Sequence, residues 1–357
     1  MKFGIQYPLM LPELNPAAVS RRYAEFFDEL EWVDEQDFDS IWITEHHFSN
    51  YSISASPLLL LTKASERVRR ARLGTAILVL PLWDPVRLVA DVSTLDVLTG
   101  GRLDIGIGRG YAPHESWGFG SDPAHSREQF EEAVRLILQL FDKSDTTFHG
   151  EHYDVPVPVT VIPRPVQTPR PPIWMAASSP ASIQFAADNG FHFMTPTNWT
   201  TPELAVQREF VEKCILSSGF PEAGREFETN RFVYCGTDED ELRLAIRASA
   251  LQTTISRALA QGHTPTAGVN PIDYGSVEVE AAVRDRFIIG SPDEIVAQLK
   301  ALGDAGVTYV LGQFRYGDLS ADVARKSLEL FTAEVLPHVA GIPSRSLVTR
   351  QPEGVAK

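Results

Sequence analysis

Apolar residues along the chain alternate between two rhythms. Val19, Tyr23, Phe26, Phe27, Leu30 and Val33 recur at helical spacing, and the apolar run at 38–44 that follows them reads as a buried strand. Similar strand-like runs stand at 3–7, 73–80, 103–108, 173–177, 191–195, 227–236 and 307–311. Helical stripes follow at 86–98, 130–141, 181–188, 204–216, 295–302 and 323–336. Many of these stripes open on a small polar residue before proline: Asn15-Pro16, Ser56-Pro57, Asp84-Pro85, Ser179-Pro180, Thr201-Pro202 and Ser291-Pro292. The polar side chain can accept from an unpaired N–H of the first turn. Proline fits the first helical position, where its missing donor costs nothing. Ser291 with Glu294 also forms a capping-box pattern.

Eight continuous apolar strands with helical sequence between them imply a parallel sheet covered on both faces. The fold class expected is α/β, a (β/α)8 TIM barrel with insertions in the loops at the C-terminal ends of the strands. An open doubly wound sheet is the runner-up. That fold would place a glycine-rich turn after its first strand, where this chain has Tyr7-Pro8-Leu9-Met10. The expected organisation is one barrel domain over 1–340 and a C-terminal tail over 341–357. Longer interruptions lie at 48–56, 111–125, 146–171 and 236–290, and all but the third follow a strand. The third is proline-rich over 155–172 and reads as a rigid surface connection, whereas 262–284 reads as a mobile lid or a poorly ordered loop.

Composition narrows the partners. With 32 Lys and Arg against 47 Asp and Glu, the formal charge of −15 argues against sequence-independent binding to nucleic acid or anionic membrane. The beginning of the chain lacks the pattern of a secretory signal, and no apolar stretch is long enough to span a bilayer, so a soluble cytoplasmic protein is expected. Cys214 and Cys235 lack the close Cys or His neighbours of a zinc site and read as free thiols.

Candidate chemistry clusters at strand ends. Glu45-His46-His47-Phe48 ends the second strand, and alternation sends only one of the two histidines toward the barrel mouth. Adjacent histidines with no carboxylate cluster make a poor metal site, so no metal is expected. Gly106-Ile107-Gly108-Arg109-Gly110-Tyr111 lacks the spacing of a dinucleotide fingerprint. Its glycines either let a flat ligand approach the backbone or accommodate barrel packing. Arg109 either binds phosphate or pairs with a carboxylate. The fifth strand leads into Ser178-Ser179-Pro180-Ala181-Ser182, a helix start whose N–H groups and hydroxyls suit a phosphate, beyond the capping expected of Ser179. Arg109 and this helix start come from consecutive barrel strands, which makes them neighbours. The aromatics Phe48, Tyr51, Trp117, Phe119 and Trp199 are candidates for lining an apolar pocket.

Five segments taken together, EHHF at 45–48, LGTAILVLPLWDPVR at 73–87, LTGGRLDIGIGRGY at 98–111, PPIWMAASSPAS at 171–182 and GSPDEI at 290–295, resemble the bacterial luciferase-like flavin-dependent monooxygenases. The similarity runs in family order from Lys2 to about Val339. It implies a barrel binding FMN at the C-terminal strand ends, often as a homodimer, with reduced FMN supplied by a separate flavin reductase. By the same resemblance His46 is the catalytic histidine, and Ala76-Ile77 is a cis peptide packed against the flavin ring. Arg109, Gly110 and Tyr111, with Ser178, Ser179 and Ser182, occupy the phosphate-binding positions. Imidazole gains and loses protons near neutrality, which suits the role implied for His46. Light emission from a long-chain aldehyde is not implied. Gly108, Ser178 and the stretch around Thr197 depart from the light-emitting members, which have a reactive cysteine, a glutamate and a tryptophan there.

The activity so implied is oxygenation of a small organic substrate by a two-component flavin-dependent monooxygenase using O2. The alternatives are a deazaflavin-dependent hydride-transfer oxidoreductase, a non-catalytic flavin-binding protein and, more remotely, a metal-dependent barrel hydrolase.

Overall fold

Most of the polar-residue-before-proline marks start helices. In the computed structural model, which describes residues 1–221, 224–262, 286–344 and 347, Asn15 Oδ1 accepts the Ala18 N–H at 2.9 Å and opens the helix Pro16–Glu35. Asp84 does the same for Pro85–Leu98, and Ser291 and Glu294 form a reciprocal capping box on Pro292–Asp304. Ser56 precedes Pro57–Ala64 without a side-chain cap bond. Thr201-Pro202 is displaced by one residue, because Thr200 rather than Thr201 caps Thr201–Ser217, in a capping box with Glu203.

The strands are β1 (Lys2–Tyr7), β2 (Ser40–Ile43), β3 (Arg72–Val79), β4 (Leu103–Gly108), β5 (Thr146–His149), β6 (Asp154–Val159), β7 (Ile173–Ala176), β8 (His192–Thr195), β9 (Phe227–Cys235), β10 (Ile288–Gly290) and β11 (Tyr309–Gln313). Eight of them, in the order β1-β2-β3-β4-β7-β8-β9-β11, pair in parallel and close through β11 and β1. This is the expected (β/α)8 barrel, with each strand buried from both sides. A large apolar cluster fills the space between sheet and outer helices. Ile342 and Leu347 join that cluster, and the Met1 amino group donates to the Ile342 carbonyl at 2.9 Å.

Three features depart from the expected map. The 146–171 connection is not simply a rigid strap, because its first part folds as the antiparallel hairpin β5–β6, and only then come the cis prolines Pro163 and Pro169. The 236–290 interruption contains a helix of 22 residues, Glu239–Ala260. Its buried side includes Ala245, Ala248, Ser249 and Gln252, small or polar groups that hide the helical period from a hydrophobicity reading. A ninth strand, β10, pairs only with the end of β9, beyond the part that closes the barrel. The expectation for 262–284 falls, apart from Gly262, outside the described residues.

Inside the barrel, Trp42, Trp174, Met194, Tyr309 and Leu311 pack together, with Ala76 and Ile77 against them. Trp42 and Trp174 meet edge to face at 5.3 Å, and so do Trp174 and Tyr309. Gly74 makes this layer possible, since a Cβ there would fall 2.3 Å from the Trp42 ring. Above it β3 bulges against β4 between Thr75 and Leu78, and the Ala76–Ile77 peptide within the bulge is cis, as the resemblance implied. The Thr75 hydroxyl fills part of the interrupted ladder, donating to the Gly106 carbonyl at 2.9 Å and accepting the Gly106 N–H at 3.0 Å.

Candidate active site

The strand ends surround a cavity of about 540 Å³, within the range of about 300–1,000 Å³ that small-molecule sites occupy. His46, Ala76, Ile77, Arg109, Gly110, Tyr111, Ser178, Ser179 and Ser182 all line it. Three of the long interruptions reach it too, through Tyr51, through Tyr111 and Glu115, and through Gln252 and Ser256. The Tyr111 and Ser256 hydroxyls hydrogen-bond at 3.0 Å and so join two of these segments.

The two histidines diverge as alternation requires, although β2 itself ends at Ile43. His47 turns into the protein, where its Nε2 lies 2.8 Å from Glu45 Oε1. Glu45 also accepts the Val79 N–H at 2.9 Å and the Trp83 indole N–H at 3.0 Å, which ties the end of β2 to that of β3. His46 turns toward the cavity, its ring edge-on to Tyr51 at 4.7 Å and to Tyr111 at 5.7 Å. Its Nδ1 lies 3.0 Å from Glu115 Oε1, which also accepts the His47 N–H at 2.8 Å. Burial pushes the Glu115 carboxyl up, but the hydrogen bond and charge of His46 and the His47 N–H together outweigh it and hold it below the usual range. An ionised carboxylate only accepts, so Nδ1 carries a proton toward it, and Nε2, which has no partner among the described residues, is the acceptor whenever the ring is neutral.

The glycines of β4 serve packing. A Cβ on Gly106 would sit 2.0 Å from the Thr75 carbonyl oxygen, and one on Gly108 2.2 Å from Ile77 Cδ1. Gly110 adopts φ +78°, and a Cβ there would press on Val79. Gly106 and Gly108 let β4 lie against the β3 bulge, which supports the packing reading for these two, while Gly110 lies on the cavity wall. Arg109 has no hydrogen-bond or ion-pair partner among the described residues, so the carboxylate-pairing alternative does not hold there. Across the β4–β7 pairing, Ser179 and Ser182 form a capping box at the start of Pro180–Asp188. The Ser182 hydroxyl accepts from the Ser178 and Ser179 N–H groups, while the Ser178 hydroxyl is unengaged. An unpaired guanidinium, a free hydroxyl and a helix N-terminus at one rim form a donor set that fits a phosphate. The cis peptide, Met175 and Met194 supply an apolar wall that fits a flat ring.

Other residues of the cavity carried weaker signals in the sequence. Gln6, Glu228, Asn230 and Gln313 are polar interruptions of otherwise apolar barrel strands, and all face the cavity. Gln313 Nε2 donates to Asn230 Oδ1 at 2.8 Å and to Gln6 Oε1 at 3.3 Å, and Gln6 Nε2 donates to the Ala76 carbonyl at 3.2 Å. This amide chain braces the bulge from below. Of the candidate aromatics only Tyr51 lines the cavity. Phe48, Trp117 and Phe119 are 59%, 61% and 49% exposed, and Trp199 packs on the outer core. Phe48 has φ +57°, which turns it out of the strand direction and against Phe119.

Among the described residues no group of three or more His, Cys, Asp or Glu side chains converges as a metal site, and no helix is long and apolar enough to cross a membrane. Cys214 and Cys235 are buried free thiols.

Comparison with known proteins agrees with the geometry. Residues 1–309 match the family model described as luciferase-like monooxygenase. The oxygenase component of a flavin-dependent trigonelline monooxygenase from Acinetobacter baylyi is 29% identical over 332 residues, 88% of this chain and 89% of that protein. An F420-dependent glucose-6-phosphate dehydrogenase from Kineococcus radiotolerans is 29% identical over 323 residues, 85% of this chain and 90% of that one. The crystal structure of the monooxygenase RslO1 from Streptomyces bottropensis superposes with a TM-score of 0.82 at 26% identity, covering 95% of this chain and 99% of that one. The barrel, the histidine beside its mouth and the matched length together show that the chain belongs to the luciferase-like monooxygenase family.

Proposed function

We propose that the protein is the oxygenase of a two-component flavin-dependent monooxygenase, taking reduced FMN from a separate flavin reductase and using O2 to oxygenate a small organic substrate. The observation that carries this reading is the meeting of the unpaired Arg109, the Ser178–Ser182 helix start and His46 on one cavity. Reduced FMN, when bound, supplies the electrons for oxygen activation. Arg109, the Ser178 hydroxyl and the positive end of the helix Pro180–Asp188 would hold its phosphate, while Ala76 and Ile77 would support its ring. His46, oriented by Glu115, would in its neutral form offer Nε2 to the cavity as a proton acceptor. The apolar wall and Tyr51 limit access of bulk water. On the same reading the protein is cytoplasmic and works as a homodimer, and the oxygenase component from Acinetobacter baylyi supports a reductase partner.

A coupled assay with a flavin reductase, NADH and O2 across a substrate panel tests the proposal. One product molecule formed per NADH consumed supports it, and NADH consumption that yields only hydrogen peroxide with every substrate contradicts it. The relative from Kineococcus radiotolerans favours a second reading, hydride transfer with the deazaflavin F420. Under that reading the protein would bind F420 in preference to FMN and turn substrate over without oxygen.

A further inference from the structure

We infer that the Glu228 carboxyl donates a hydrogen bond from Oε1 to a carbonyl oxygen of the molecule bound in the cavity, and so selects a ligand that presents such an acceptor at this wall. The inference deepens the functional proposal above and rests on it.

Glu228 stands on β9, level with Met194 on β8 and Tyr309 on β11. It is 1% exposed and belongs to the cavity wall. Oε2 accepts the Thr195 N–H at 3.3 Å, whereas Oε1 has no partner. The neighbouring amides are occupied with one another: Gln252 Nε2 donates to Gln313 Oε1, and Gln313 Nε2 to Gln6 and Asn230. The Thr195 hydroxyl on the same wall is also unpaired. Buried polar atoms without partners are costly in a finished fold, and two of them together on a cavity wall indicate a ligand that completes them.

The donor role follows from the surroundings. Arg231, three positions along β9, spends its guanidinium on the carbonyls of Asn230, Thr197 and Trp199, and none of its N–H groups reaches Glu228. Burial therefore dominates and raises the Glu228 carboxyl to about 8, against the smaller lowering effects of the Thr195 N–H and the Arg231 charge. The group is neutral near pH 7. Since Oε2 already accepts a hydrogen bond, the proton sits on Oε1 and an O–H is presented to the cavity. Its complement is an acceptor that carries no proton, such as a carbonyl oxygen. The flavin ring and a ketone or amide substrate both carry one.

Infrared difference spectroscopy of the full chain at neutral pH separates the two sources. Oxidised FMN is added first, then cyclohexanone to the FMN complex. A protonated-carboxyl band missing from Glu228→Gln is expected to shift when one of the two is added, and that probe supplies the carbonyl. Glu228→Leu should weaken binding of the same probe about tenfold, the equivalent of one lost hydrogen bond, while Glu228→Gln keeps an N–H donor and binds within about twofold of the parent. A band unmoved by both probes overturns the inference, as does an ionised Glu228 or a Glu228→Gln variant as weak as Glu228→Leu. FMN binding with a band that neither probe moves defeats only the role of Glu228, whereas failure of the parent to bind FMN in any redox state defeats the functional proposal itself.

Discussion

Glu115 Oε1 accepts from two consecutive residues at once, from His46 through its ring Nδ1 at 3.0 Å and from His47 through its backbone N–H at 2.8 Å. One carboxylate thus fixes both the tautomer of the cavity histidine and the backbone that carries it. Glu45 meets the histidine that faces the protein, at 2.8 Å from His47 Nε2, and its other contacts tie that ring to the end of β3 through the Val79 N–H. The pair of adjacent histidines is therefore divided between a ring that lines the cavity and a ring buried in the protein, each against its own glutamate.

This division predicts unequal effects of substitution. His46→Ala should lower oxygenation turnover about a hundredfold or more, within the range of a lost acid–base group, while FMN affinity stays within about twofold. Glu115→Gln keeps a side chain able to accept from Nδ1 but removes the charge, and should lower turnover less than His46→Ala. Steady-state kinetics with a reductase, paired with flavin binding, checks both. Equal turnover of His46→Ala and the parent would remove His46 from the chemistry.

Arg109 is expected to act on phosphate alone. Arg109→Ala should weaken FMN binding about tenfold or more, the loss of a charge-assisted contact, and leave riboflavin binding unchanged, because riboflavin has no phosphate. Fluorescence titration of the two flavins on the same variant measures this. An equal loss for both would place Arg109 near the ring instead.

Gly106 in β4 and Gly100 before it separate packing from backbone freedom. Gly106→Ala drives a methyl against the Thr75 carbonyl, backbone that cannot move without opening the bulge. It should cost about 1–3 kcal/mol or prevent folding. Gly100→Ala meets nothing within 4 Å and bears only the strain of φ +65°, about 1–2 kcal/mol. Urea unfolding ranks them, and Gly106→Ala should be the less stable of the two.

His192 makes stability fall with acid. Burial pulls its imidazole down from 6.5 to about 4, with the Glu226 charge opposing, and its Nδ1 accepts the Glu226 N–H at 2.9 Å. Between those values the unfolded chain takes up a proton that the folded chain refuses. Folding stability therefore drops as pH falls through that window, by about 3 kcal/mol at most. Glu115, held below its usual range, adds to the loss at still lower pH, since a carboxylate favoured by folding loses its contribution as pH falls through its folded value. Unfolding midpoints of the parent and His192→Asn at neutral and acid pH should converge if His192 is responsible. A parallel decline in the two proteins would assign the acid sensitivity elsewhere.

The barrel was legible because its strands are continuous apolar runs and its helices open on proline marks, two signals that act locally. The helix Glu239–Ala260 was hidden because its buried face uses Ala245, Ala248, Ser249 and Gln252. The hairpin β5–β6 was hidden by the prolines that surround it. At the site, His46, Arg109 and the serines were legible by chemistry and position. Glu115 and Glu228 were not, because each is a single carboxylate whose importance depends on what it meets across the barrel. A polar residue at an inward strand position, as at Gln6, Glu228, Asn230 and Gln313, was the signal that could have marked the cavity floor.

On the proposed function this cavity holds reduced FMN. Anaerobic titration of the parent protein and Arg109→Ala with reduced FMN and, in parallel, with reduced F420 tests it most directly. One reduced FMN per chain is expected, bound more tightly than F420 and weakened by the loss of Arg109. Tight binding of F420 with no measurable affinity for reduced FMN would contradict it.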